Sequence, residues 1–170
     1  RKTMLKIKSA EGVVLSAILC VAMLTASCKK DNGTSSTGPS STSTSGATTT
    51  GLEALEDGDW SRAYDSFTTA IESNGSDADA YYCRGVASLA RGRESYSLAQ
   101  AASTNEKYEE AQSHAAKADE FFGKAVEDAD KTLELSPDHA DAWFLKGVAY
   151  QYQGFWEEGI GAFSECIKLD

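Results

Sequence analysis

The chain has 170 residues and a formal net charge of −10, enough for one modest domain plus extensions. Residues 1–50 hold six bases and two acids, whereas 51–170 hold 10 bases and 24 acids, a net of −14. A surface that negative repels nucleic acid and anionic lipid, and no basic stripe interleaved with aromatic residues opposes that exclusion.

In chain order, Arg1, Lys2, Lys6 and Lys8 precede Gly12 to Ser27, a charge-free run built around VVLSAILCVAML. That run is short of the roughly 20 residues a membrane-spanning helix needs. Its basic flank and small-residue exit match a secretory signal. The exit, Leu24-Thr25-Ala26-Ser27-Cys28, resembles a bacterial lipobox, in which Thr25 is accepted though not the commonest residue. The resemblance implies cleavage before Cys28 and attachment of a diacylglyceryl group to its thiol. An ordinary signal with an incidental cysteine is the rival reading. Cys20 follows Leu19, a residue too large for that cut, and leaves with the signal on either reading. Residues 1–27 are therefore expected to be a signal peptide and Cys28 the lipidated first residue. Lys29-Lys30-Asp31 departs from the Cys-Asp start usual in enteric lipoproteins held at the inner membrane. The outer membrane is favoured over the inner, with the leaflet open.

Asn32 to Thr50 reads NGTSSTGPSSTSTSGATTT. Such a segment buries too little apolar area to offset its ordering entropy. Residues 28–50 are expected to be a lipidated cysteine and a disordered Ser/Thr/Gly tether.

From Gly51 on, apolar residues recur at helical spacing. ADAYYCRGVASLARG (78–92) and ADAWFLKGVAYQYQG (140–154) align residue for residue, Ala78 matching Ala140. Trp143, Gly147, Tyr150, Gly159, Phe163 and Cys166 fall at offsets 0, 4, 7, 16, 20 and 23. This set resembles the tetratricopeptide repeat (TPR), with Gly159 and Cys166 in place of two alanines. Pro137 stands where such repeats end their second helix, because proline cannot continue one. An earlier copy shows Gly58, Trp60, Ala63, Phe67 and Ala70 at matching positions, with only about two helical turns ahead of Gly58. The resemblance implies an all-α fold of antiparallel helix pairs, an α-solenoid. Its domain spans 51–170: a partial first repeat at 51–77, an expanded second at 78–137 and a third at 140–170.

The middle copy exceeds the usual repeat period of about 34 residues by about 28 residues. That excess divides into two equal extensions of about 14 residues, each close to four helical turns. Tyr81, Gly85, Ser88, Gly92, Ser95, Ala99 and Ala102 form one seam at heptad spacing; Tyr108, Ala111, Ala115, Ala118, Phe122, Ala125, Ala129 and Thr132 form the other. The pattern predicts one long hairpin over 78–136, with Ser103 and Glu106 at capping-box spacing in its turn. Two ordinary hairpins broken near Gly92 or Gly123 are the alternative. Arg1 is not an initiator methionine, and Asp170 falls where such arrays usually add a solvating helix; a fragment, or an end covered by a partner, is expected.

Catalytic chemistry is not visible. His114 and His139 have no second ligand at metal spacing, and solvated histidines are expected. No nucleophile elbow or phosphate loop occurs, so no enzyme activity, cofactor or metal is expected. Cys83 and Cys166 are expected to remain unbonded thiols, because their helices do not touch in a repeat stack. The resemblance implies a peptide-binding groove on the first helix of each pair, lined by Tyr82, Val86, Leu89, Phe144, Val148, Gln151 and Tyr152. An apolar lining suits helix-in-groove recognition; the alternative is that these side chains are core. Basic residues that would clamp chaperone tails are missing at these positions. The implied function is a membrane-anchored scaffold for other envelope proteins. The alternative is an accessory of a solute transport or secretion system that binds a small ligand or a binding protein.

Overall fold

The computed structural model describes residues 42–169. The expected signal peptide, Cys28 and tether residues 29–41 lie outside them. Six helices follow in order: α1 (Thr42–Asp57), α2 (Trp60–Ser73), α3 (Ala78–Thr104), α4 (Tyr108–Leu135), α5 (Ala140–Gln153) and α6 (Trp156–Leu169). Each packs against the next, so the chain forms three antiparallel pairs stacked in sequence, with no strand among the described residues.

The turns come from short capping sequences. Gly58, at φ +74°, ends α1 in a conformation that side chains rarely adopt. The carboxylates of Asp59 and Asp77 accept from the N–H groups of Arg62 and Ala80, starting α2 and α3. Helix α4 ends at Leu135, just ahead of Pro137. The α3–α4 turn departs from expectation. Ser103 lies inside α3, and α4 starts after Lys107 without a side-chain cap. The reversal is made instead by Glu106 at φ +61°.

A glycine-aromatic pair locks each helix pair. A methyl group added at Gly51 would sit 2.8 Å from the Phe67 ring, and one at Gly147 would sit 2.6 Å from the Phe163 ring. The two pairs have the same spacing along the chain. The missing side chain lets a ring lie on the backbone of the facing helix. Fully burying such a ring contributes about 1.5–3 kcal/mol.

The middle repeat is one long hairpin, with α3 at 27 residues and α4 at 28. Neither Gly92 nor Gly123 breaks it. The glycine-aromatic lock has moved. Gly85 occupies the register of Gly51 and Gly147, but a methyl there would meet Leu145 of α5 at 2.9 Å and the Asp128 Cβ at 3.1 Å. The ring contact lies one heptad further out, at Gly92, where a methyl would be 2.5 Å from Phe122. Phe122 in turn lies one heptad before Ala129, the residue at the register of Phe67 and Phe163. One heptad added to each arm keeps the facing sides in phase.

The expected tether boundary is corrected. Residues 42–50 are helical, so α1 has 16 residues and the first repeat has a complete first helix. Threonine disfavours helix only weakly. Packing overrides that preference: Gly51, Ala54 and Leu55 are buried, and Gly51 lies under Phe67.

Candidate functional site

The residues expected to line a groove are mostly core. Tyr82, Val86, Leu89 and Val148 are buried, Phe144 and Tyr152 are half-buried, and only Gln151 is exposed. Helix α3 is buried all round from Gly85 to Ala90. Val86, Leu89 and Val148 belong to one cluster with Ala54 and Leu55 of α1 and Phe122 of α4. Tyr82 rests on the His139 ring at a centroid distance of 4.9 Å. The seven therefore do not form an open lining.

His139 is not a solvated side chain. It precedes α5, and its Nδ1 accepts from the Ala142 N–H at 3.2 Å. Its Nε2 lies 3.9 Å from a carboxylate oxygen of Asp79. The expectation for cysteine also fails at one position. Cys83 is disulfide-bonded, to a partner outside the described residues, where the sequence has Cys20 and Cys28. Cys166 is a half-buried thiol. Spacing within the repeats gave no reason to pair Cys83 with a cysteine ahead of them.

Sequence reading missed a polar tie between repeats. The Arg84 guanidinium donates to both carboxylate oxygens of Asp128, the shortest contact being 2.7 Å, and reaches the Thr68 hydroxyl at 3.4 Å. It also lies 5.5 Å from the ring centroids of Tyr64 and Tyr81. Three helices are joined through one side chain. Burial pushes the Asp128 carboxyl above its usual range, against the pull of Arg84. Burial also lowers Arg84, but its bonds to Asp128 leave it raised overall. Lys146, which takes the place of Arg84 in the third repeat, repeats the motif by donating to Asp130 of the preceding helix. The signal that could have revealed this was the recurrence of a base at one repeat position.

Two surfaces remain open. At the hairpin tip a shallow, open concavity of about 620 Å³ is lined by small and polar residues, including Ala99, Gln100, Ala111 and Ala115. Nearby Tyr96, Leu98 and Tyr108 are exposed. On α6, Trp156 is 63% exposed, Ile160 66% and Ile167 75%. None of the described helices is long and apolar enough to cross a membrane. No group of metal-ligating side chains occurs among the described residues.

Stacked antiparallel pairs, locked by glycine against aromatic at a fixed register, define a helical-repeat protein. The sequence matches the tetratricopeptide repeat family over residues 48–95 and 111–169, and the chain belongs to that family. Residues 96–110, between the two matches, form the outer end of the hairpin. Two crystal structures of MamA are similar to the chain. One is 15% identical over 75% of this chain and 91% of its own, with a TM-score of 0.27. The other is 16% identical over 96% and 94%, also with a TM-score of 0.27. An overlap that low carries no argument. The repeats themselves point to a protein–protein interaction scaffold.

Proposed function

We propose that the chain is a lipid-anchored interaction scaffold of the bacterial cell envelope, held at Cys28 in the outer membrane in preference to the inner. The observation that carries this reading is the junction of Leu24-Thr25-Ala26-Ser27-Cys28 with a tetratricopeptide stack. Stable anchoring takes two or more acyl chains, which diacylglyceryl transfer to one thiol supplies. The repeats then present helical surfaces to other envelope proteins.

The reading has a chemical consequence for Cys83. A thioether consumes the Cys28 thiol, and cleavage before Cys28 removes Cys20. In the processed lipoprotein Cys83 is therefore a thiol, whereas the unprocessed chain can keep its disulfide.

Cells fed a clickable palmitate should label the wild type and leave Cys28→Ala unlabelled. Mass spectrometry after denaturing, non-reducing alkylation should find Cys83 and Cys166 both alkylated in the labelled species. Equal labelling of both chains, or a Cys83 still in a disulfide within the mature protein, overturns the anchor.

A further inference from the structure

The three second helices of the repeats share one register. Matching Phe67, Ala129 and Phe163 makes Tyr64, Val126 and Ile160 equivalent, and likewise Ile71, Leu133 and Ile167. In the first two repeats these side chains are half-buried, and the next repeat's first helix packs on the helix that carries them. In the third they are the most exposed isoleucines of the described chain. A third set matters more. Thr68 and Asp130 are the groups that meet Arg84 and Lys146 from the following helix. Their equivalent on α6 is Ser164, which is exposed. The face thus has the apolar pair and the polar acceptor of a repeat junction, but no described helix on it.

We propose that this face of α6 is the docking site for an amphipathic helix of a partner protein, carrying small apolar residues and a lysine or arginine at the register of Arg84 and Lys146. The proposal rests on the scaffold reading and names its partner surface. Charge favours such a guest. Helix α6 carries Glu157, Glu158 and Glu165 against the single base Lys168, which already pairs with Glu165 at 2.6 Å. A second copy fits poorly. Stacking head to tail would bring its α1 onto α6, and α1 has three acids, no base, and Thr50 at the register of Arg84 and Lys146. Acid would then face acid.

The chain's own α5 already solves the equivalent problem on α4, so its sequence is the probe. A fluorescein-labelled, helix-stapled peptide of residues 138–154 is titrated into the full chain carrying Cys28→Ala, so that no lipid competes for the surface. Binding by anisotropy is expected, with a photo-crosslink mapped to α6. Ile160→Asp with Ile167→Asp should weaken binding about tenfold or more, with an unchanged helical spectrum because both side chains are exposed. Lys146→Glu in the peptide should weaken it in the same direction. No binding, or binding that the double variant leaves intact, overturns the proposal. Self-association of the full chain in sedimentation that the double variant abolishes also overturns it and assigns the face to a second copy. The scaffold reading fails separately: it fails if the wild-type lipoprotein crosslinks to no envelope protein in cells, and it survives if the double variant keeps such partners through another surface.

Discussion

The base and the tip of the long hairpin are built from the same two helices with the same small-residue seam, yet they are held differently. At the base Gly85, Ser88, Gly92, Ala118, Phe122, Ala125 and Ala129 are buried. At the tip Ala115 is exposed, Ala111 is half-buried and Tyr108 is 69% exposed. Around the base α2 and α5 flank the hairpin on either side. At the tip each arm has only the other arm, and a methyl-lined seam removes little apolar area from water. A seam pattern thus tells which sides face each other. The number of neighbouring helices decides how tightly they hold, and local opening should be cheapest at 96–115.

The sharpest test of this contrast removes the tie at the base. Arg84→Met leaves the Asp128 carboxylate buried without its partner, a loss of about 3–5 kcal/mol, measurable by denaturant unfolding. Because burial raises the folded-state value of Asp128, this group's contribution is full below the unfolded value, near 3.9, and is lost as pH rises through the folded value. The deficit of the variant should therefore be greatest near neutrality and shrink as the solution is acidified. A pH-independent deficit would mean that Asp128 finds another cation.

The two glycines of the hairpin should respond with opposite sign. Gly92→Ala forces a methyl into Phe122 and should cost about 1–3 kcal/mol. Gly123→Ala meets nothing within 4 Å and should gain up to about 1 kcal/mol from helix propensity. Thermal melts showing the same sign for both would dissolve the distinction between locked and open positions.

Ala118 and Ala115 sit one helical turn apart on α4 and test the boundary itself. Ala118→Leu should destabilise by about 1–3 kcal/mol through overpacking, while Ala115→Leu should stay within about 0.5 kcal/mol. An equal loss at both sites would extend the tight base outward. The smallest effect belongs to the turn. Glu106→Gly relieves the positive φ but adds freedom to the unfolded chain, so a gain of a few tenths of a kcal/mol is expected. It should speed the folding limb only if the turn forms early.

Much of the fold could be read from spacing. Gly147 with Phe163, Pro137 after α4 and the even division of the excess in the middle repeat all follow from local pattern, and the structure agrees with them. What could not be read depended on partners distant in sequence. Nothing local in Thr48-Thr49-Thr50 says helix; Phe67 lying on Gly51 does. Asp128 is 44 residues from Arg84, and only the repetition of a base at Lys146 hints at the tie. The groove reading assumed that the concave side of α3 stays open. That helix proved to be enclosed around Val86 and Leu89, which no periodicity reveals.

The displaced glycine-aromatic lock makes the hairpin adjustable in length by fixed steps. Removing or adding one heptad in both arms returns every facing pair to its former phase and changes the projection by about 10 Å. The same change in one arm alone would slide Gly92 off Phe122 and shear the seam. The hairpin is therefore a spacer graduated in heptads, and any surface at its tip can be set at a chosen distance from the stack without redesigning the base.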